Sequence, residues 1–227
     1  MKLLIVSSTW QEVKPLELFL LKKDETRLYN EHAIELLITG VGGVTTSYHL
    51  GKILPVSNWD LAIQLGICGS FNPNFPIGSP VNIISDCFAD LGAQSDEVFL
   101  DAFELGLIEK SRFPFEDGWL NNPHTLNCQS VTELQRVKSI SVNTVSGNDV
   151  SIIKTVGRYH PDVESMEGAA FAFCCLLESI PFLQLRAISN YVEKRDRTKW
   201  NIPLAIKNLN DTAIKLLQEL LTIGSEP

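Results

Sequence analysis

The stretch from Val163 to Asn190, V-E-S-M-E-G-A-A-F-A-F-C-C-L-L-E-S-I-P-F-L-Q-L-R-A-I-S-N, constrains the fold more than any other. It reads as a helix that begins at the carboxylate of Glu167 and ends near Ser179. A buried strand follows, Phe182 to Ile188, with Ser189 and Asn190 at its tip. Gly168, Ala169, Ala170 and Ala172 let the helix press close against a sheet. A carboxylate against so apolar a helix is costly unless it binds something, and the C-terminal tips of strands are where open α/β sheets hold ligands. Glu167 and Asn190 are therefore candidates for a reacting centre.

The same strand-then-helix grammar recurs along the chain. Lys2 to Val6 is a short apolar run, read as the first strand. Ser7-Ser8-Thr9 supplies helix-capping residues, and Glu12 follows Thr9 at the spacing of a capping box, which predicts a helix from Trp10 to Leu21. Glu25 to Glu31 suits a hairpin strand and Ala33 to Thr39 a stronger one. Gly40-Val41-Gly42-Gly43 turns into a helix over Val44 to Leu54. Asp60 to Leu65 is an apolar strand ending in Gly66-Ile67-Cys68-Gly69-Ser70, and Val81 to Ser85 and Ser139 to Val145 are further strands. Ser146-Gly147-Asn148-Asp149 turns into a short helix. The last helix runs from Pro203 to Leu221, with proline in the first turn, where its missing N–H is harmless. Phe88 to Gln129 has few sustained periods and is expected to cover the site or form an interface. Alternation of this kind implies one domain over residues 1–227, a three-layer α/β/α arrangement around a mixed, largely parallel sheet.

Composition narrows the chemistry. A net charge of −8 argues against nucleic acid or an anionic membrane as partner. The apolar run behind Met1-Lys2 is too short for a signal peptide or a membrane span, so a cytoplasmic protein is expected. The five cysteines are odd in number and form no C-x-x-C, which reads as reduced core thiols. The four histidines form no metal-binding spacing, so neither a metal nor another cofactor is expected. No G-x-S-x-G elbow is present.

The remaining candidates each have two readings. Glu12 is either the capping-box carboxylate or a group at the sheet's ligand edge that accepts a proton from water. Glu167 is either an exposed first-turn glutamate stabilised by the helix dipole or the acceptor of two hydrogen bonds from a vicinal diol. Gly40 to Gly43 is a tight turn that can also bring N–H groups to a polar ligand. Lys194, Arg195, Arg197 and Lys199 form a solvated loop or a lid that pairs with a substrate carboxylate.

E-S-M-E-G-A-A-F followed by L-R-A-I-S-N resembles the nucleoside phosphorylase and nucleosidase superfamily. S-S-T-W-Q-E-V, T-G-V-G-G-V and L-A-I-Q-L-G-I-C-G-S occupy the matching places, so the resemblance spans nearly the whole chain. It implies that Glu12 polarises an attacking water and that Arg186 helps hold it. Met166 would lie against a ribose and Glu167 would take its 2′- and 3′-hydroxyls. Val150 would line the purine, and Trp200 would stand near the 5′ substituent with Arg195 in the loop beside it. Two residues depart from the pattern of bacterial thioadenosine nucleosidases: Ile67 replaces a serine near the water, and Asn190 replaces a catalytic aspartate. An amide offers two N–H donors, suited to N7 and a 6-oxo oxygen. The N-terminal loop, Ser7 to Val13, has no cation to hold phosphate. The resemblance thus implies hydrolysis of a 6-oxopurine nucleoside with a bulky 5′ extension, by a homodimer. A thioadenosine nucleosidase is the nearest rival, and a silent nucleoside-binding protein the rival of another class.

Overall fold

The computed structural model describes residues 1–23 and 33–223. The hairpin strand expected at Glu25 to Glu31 lies outside the described residues. Strand β1 (Lys2–Ser7) leads into helix α1 (Trp10–Lys23), and β2 (Ala33–Ile38) into α2 (Gly43–Ile53). Then come β3 (Leu61–Ser70), β4 (Pro80–Asp86), the hairpin β5 (Gly92–Ser95) and β6 (Val98–Asp101), β7 (Leu120–Asn121) and the short α3 (Gln129–Thr132). The second half carries β8 (Gln135–Ser141), α4 (Asp149–Tyr159), β9 (Val163–Ser165), α5 (Gly168–Leu177), β10 (Phe182–Tyr191) and α6 (Ile202–Ile223). No described helix is long and apolar enough to cross a membrane.

The main sheet is mixed, and part of it closes on itself. β1 pairs in parallel with β2 and β3, and β3 in parallel with β10. β10 also pairs antiparallel with β4, β4 in parallel with β8, β8 in parallel with β9, and β9 antiparallel back to β3. Strands β10, β4, β8, β9 and β3 therefore form a ring, with β1 and β2 as a wing. This differs from the open sheet that simple alternation suggests, because β9 pairs back to β3 and so closes the path that runs from β3 through β10, β4 and β8.

Side chains alternate across a strand, and β1 feeds two cores. Leu3 and Ile5 pack with Val13 and Leu16 of α1 and with Leu209, Leu216 and Leu217 of α6. Leu4 and Val6 pack with Leu50 of α2 and Phe171 of α5. The small residues of α5 serve two neighbours. A Cβ on Gly43 of α2 would meet that of Ala170 at 3.5 Å, while one on Gly168 would overlap Asp86 Oδ2 and reach Gln184 Oε1 at 2.8 Å.

Two expected boundaries move, for physical reasons. β3 runs on through Gly66 and Gly69, which permit close approach by side chains of β10 rather than ending the strand. β8 starts at Gln135, ahead of the expected Ser139, where polar, mostly solvent-facing residues hide the strand, and it ends at Ser141 rather than Val145. Between Phe88 and Gln129, β5 is exposed throughout and has no apolar alternation to read. Phe88, Phe103 and Phe115 join Phe173 of α5 in an aromatic cluster, three contacts edge-to-face and one, Phe115 on Phe173, tilted. No residue of this segment lines the cavity described next, contrary to one of the two roles expected of it.

Candidate active site

A cavity of about 400 Å³ opens at the C-terminal end of β1, β3 and β10. Glu12, Met166, Glu167, Asn190, Arg195 and Trp200, all singled out from the sequence, line it together.

Glu12 caps α1 and also lines the cavity. Its Oε2 accepts from Thr9 N at 3.0 Å, which is one half of a capping box, and from Thr9 Oγ1 at 2.8 Å and Ser8 Oγ at 2.5 Å. Among the described residues, its Oε1 accepts only the longer bond from Ile67 N, at 3.2 Å. Oε2 is thus saturated by protein donors, while Oε1 retains lone-pair capacity. Ile67, where a serine was the alternative, contributes its main-chain N–H to this carboxylate and its side chain to the cavity wall.

Arg186 is 1 % exposed and lies behind the cavity wall, not in it. It stands opposite Gly66 in the β10–β3 register. A Cβ on Gly66 would overlap Arg186 Nη1 and sit 3.3 Å from Glu12 Oε1, so the glycine leaves the space that brings the guanidinium toward the carboxylate. Arg186 Nη2 donates to Gln64 Oε1 at 2.8 Å, and Nε has no partner among the described residues.

Glu167 is buried, unlike an ordinary first-turn glutamate, and does not cap its own helix. Hydroxyls of Ser165 and Ser141 take the N–H groups of Gly168 and Ala169 instead, at 3.3 and 2.7 Å. Glu167 Oε1 accepts from Gly42 N at 2.9 Å, so the glycine turn points an N–H at the carboxylate that the ligand would meet. Gly42 holds φ at +92°, a region glycine enters without strain. Burial raises the Glu167 carboxyl above its usual range, while Arg186 and the Gly42 bond oppose the shift.

Asn190 owes its aim to an irregularity. The β10–β3 register pairs Ile188 with Cys68 and then Asn190 with Gly69, skipping Ser189. Such bulges re-aim side chains. The Ser189 hydroxyl, 2.8 Å from Asn190 Oδ1, holds the oxygen end of the amide, and Nδ2 donates to Tyr191 O at 2.9 Å. One of the two amide hydrogens is therefore engaged, which leaves one for a ligand unless the Tyr191 bond is exchanged. Ser189 O accepts from Asn201 N at 2.8 Å, and this tether brings Trp200 and the preceding loop over the cavity.

In that loop Lys194 and Arg195 line the cavity, whereas Arg197 and Lys199 do not; Lys199 pairs with Glu193 at 2.7 Å. The Arg195 guanidinium lies 5.8 Å from the centre of the Trp200 ring. Val150 is not brought to the site. It lies in the first turn of α4 and is 63 % exposed, because the wall is built one turn earlier, by Val145 and Ser146. Sequence reasoning also passed over Glu164, buried in the cavity wall within the quoted E-S-M-E motif. The cysteines are free, and burial pushes the thiols of Cys68, Cys87 and Cys175 up, consistent with core thiols.

Such a cavity, with paired carboxylates facing an amide at a strand tip, suits cleavage of a nucleoside. The family model of the Phosphorylase superfamily matches residues 22–222, and the chain belongs to that superfamily. Within it, the chain is 31 % identical to a futalosine hydrolase of Streptomyces coelicolor, over 80 % of this chain and 77 % of that one. It is 24 % identical to a 5′-methylthioadenosine/S-adenosylhomocysteine nucleosidase of Haemophilus ducreyi, over 83 % and 81 %. The solved structure of the futalosine hydrolase of Helicobacter pylori superposes with a TM-score of 0.77 at 15 % identity, covering 96 % of this chain and 98 % of that one. The likeness establishes a nucleoside phosphorylase-like α/β fold.

Proposed function

We propose that the chain hydrolyses the N-glycosidic bond of futalosine, releasing hypoxanthine and dehypoxanthine futalosine. The observation that carries this reading is the convergence of Glu12, Glu167 and Asn190 on one cavity, with an amide at the strand tip. Glu167 grips the ribose diol and Met166 packs against the sugar. A water beside Glu12 Oε1 attacks C1′, and Glu12 takes a proton from it as the C–O bond forms. The electron pair of the breaking C1′–N9 bond passes into the purine. The remaining N–H of Asn190 Nδ2 stabilises the charge that develops along the N7 and O6 edge by hydrogen bonding, and the leaving base collects its proton from solvent. Arg186, behind the wall, acts through the carboxylates it faces. Lys194 and Arg195 stand where a carboxylate on the 5′ extension would reach, and Trp200 offers that extension an aromatic face.

The layered arrangement belongs to the same reading. The wing β2-β1-β3 is the middle of an α/β/α stack within a single domain, supported by the two cores that β1 feeds.

The test is base release from futalosine, inosine and methylthioadenosine side by side, with and without phosphate. Futalosine turned over fastest, without phosphate, is the expected result. Faster adenine release from methylthioadenosine would favour the nucleosidase rival, and tight binding with no release would favour a silent binding protein.

A further inference from the structure

Glu167 stands at the N-cap of α5, where a side-chain oxygen ordinarily accepts from the free N–H groups of the first turn. Its carboxylate makes no such bond, and Oε1 accepts from Gly42 N at 2.9 Å instead. An anion at the positive end of a helix is drawn toward those N–H groups, so its freedom depends on their being taken by something else. Ser141 takes one. Its Oγ accepts from Ala169 N at 2.7 Å, and because a main-chain N–H can only donate, this bond fixes the direction of the hydroxyl. The hydroxyl proton then points to Asp86 Oδ1, 3.0 Å away.

Asp86 and Ser141 are held as one unit. They are the last residues of the parallel neighbours β4 and β8. Cys87 ties the two together, since its N–H donates to Asp86 Oδ1 at 2.8 Å and its carbonyl accepts from Ser141 N at 2.8 Å. Both side chains are buried, and neither lines the cavity, whereas Glu167 does. Gly168 admits the pair beneath the helix, because a Cβ there would overlap Asp86 Oδ2. That oxygen is buried with no partner among the described residues. Burying a carboxyl so incompletely satisfied is unfavourable, and packing alone gives no reason for it.

We propose that Asp86 and Ser141 are positioning residues for the ribose: they keep the Ala169 N–H occupied and so leave the Glu167 carboxylate free for the sugar's hydroxyls. This rests on the reading of the preceding section, in which Glu167 grips the diol. Without the relay, the Ala169 N–H competes with the sugar for the carboxylate. The hold on the 2′-hydroxyl weakens, while contacts to the base persist.

The test compares formycin B, a 6-oxopurine riboside analogue whose C–C glycosidic bond is not hydrolysed, with its 2′-deoxy form, by calorimetry. The unmodified chain should bind the riboside at least about tenfold more tightly, as a hydrogen bond to a buried carboxylate implies; equal binding overturns the proposal. Ser141→Ala should lower that ratio by about tenfold, and Asp86→Leu should lower it in the same direction. Asp86→Asn, whose oxygen still accepts from Ser141, should hold the ratio within about twofold of the unmodified chain. A loss that is only structural weakens both ligands alike, so an unchanged ratio in Ser141→Ala overturns the proposal. Equal loss of the ratio in Asp86→Asn and Asp86→Leu overturns it too. Should Ser141→Ala not fold, Ser141→Cys keeps the shape with a sulfur that accepts only weakly; its ratio should also fall, and an unchanged one overturns the proposal. Failure of the unmodified chain to turn over futalosine would sink the hydrolytic reading alone, because binding of the two uncleaved ligands still decides the role of the relay.

Discussion

The side-chain amide of Asn210 is inserted into helix α1 at Glu12. Its Nδ2 donates to Glu12 O at 2.8 Å, and its Oδ1 accepts from Leu16 N at 3.0 Å, so it bridges the two groups that an α-helix would join directly. Asn210 is buried on α6, and the bridge fixes the backbone of the carboxylate that faces the cavity. Asn210→Leu would leave a buried acceptor and a buried donor without partners, each costing about 1–3 kcal/mol. A drop in Tm of several degrees, with kcat falling further than KM rises, is the expected outcome. Thermal melting and steady-state kinetics on the same preparation check it.

Glu12→Gln separates the two roles of that carboxylate. The glutamine oxygen can replace Oε2 toward Ser8 and Thr9, so the fold and substrate affinity should survive. Loss of the acceptor for the water's proton should lower kcat by about 10²–10⁴. Binding of substrate by calorimetry, beside kcat, tells these apart; a kcat within a factor of a few of the native chain would remove Glu12 from the mechanism.

Asn190→Asp changes the group that meets the departing base. An aspartate can accept from a 6-amino group where the amide donates to a 6-oxo oxygen. The preference for hypoxanthine over adenine as leaving base should shrink by about tenfold. An unchanged ratio of kcat/KM would show that Asn190 does not read the base.

Asp86 gives the fold a dependence on pH. Its Oδ1 accepts from Cys87 N at 2.8 Å and Ser141 Oγ at 3.0 Å, whereas Oδ2 and the nearby Gln184 Oε1 have no partner among the described residues. Two buried acceptors approach the same point over Gly168. A proton on Oδ2 would reconcile them, and burial pushes the Asp86 carboxyl from 3.8 up to about 7, opposed in part by its hydrogen bonds and by Arg186. The folded chain therefore holds a proton that the unfolded chain releases over this interval. Stability from this group is full at low pH, declines as pH rises from about 4 to about 7, and is level above. Asp86→Asn supplies a permanent N–H donor. Its Tm relative to the native chain should climb across that interval; a difference independent of pH would contradict the account.

Much of the site could be read before the structure because its residues carry local signals. Thr9 and Glu12 announce a helix start, and the E-S-M-E-G-A-A-F motif places Glu167 at the head of α5. Other parts lack such signals. Gly66 and Gly69 look like the end of a strand, yet they lie within β3 because Arg186 and Asn190 come from a strand far away in sequence. Val150 matches an apolar lining residue in type, but the start of α4 turns it to solvent, and Val145 and Ser146 take the wall. The bulge at Ser189 and the bridge from Asn210 depend on pairings across the fold, which no local period records.

The most direct test of the central claim is single-turnover cleavage of futalosine in phosphate-free buffer made with ¹⁸O-labelled water. The account predicts hypoxanthine and sugar in equal amounts, with the label on the anomeric carbon and no acceleration when phosphate is added. Cleavage that waits for phosphate and yields an unlabelled sugar 1-phosphate would contradict it.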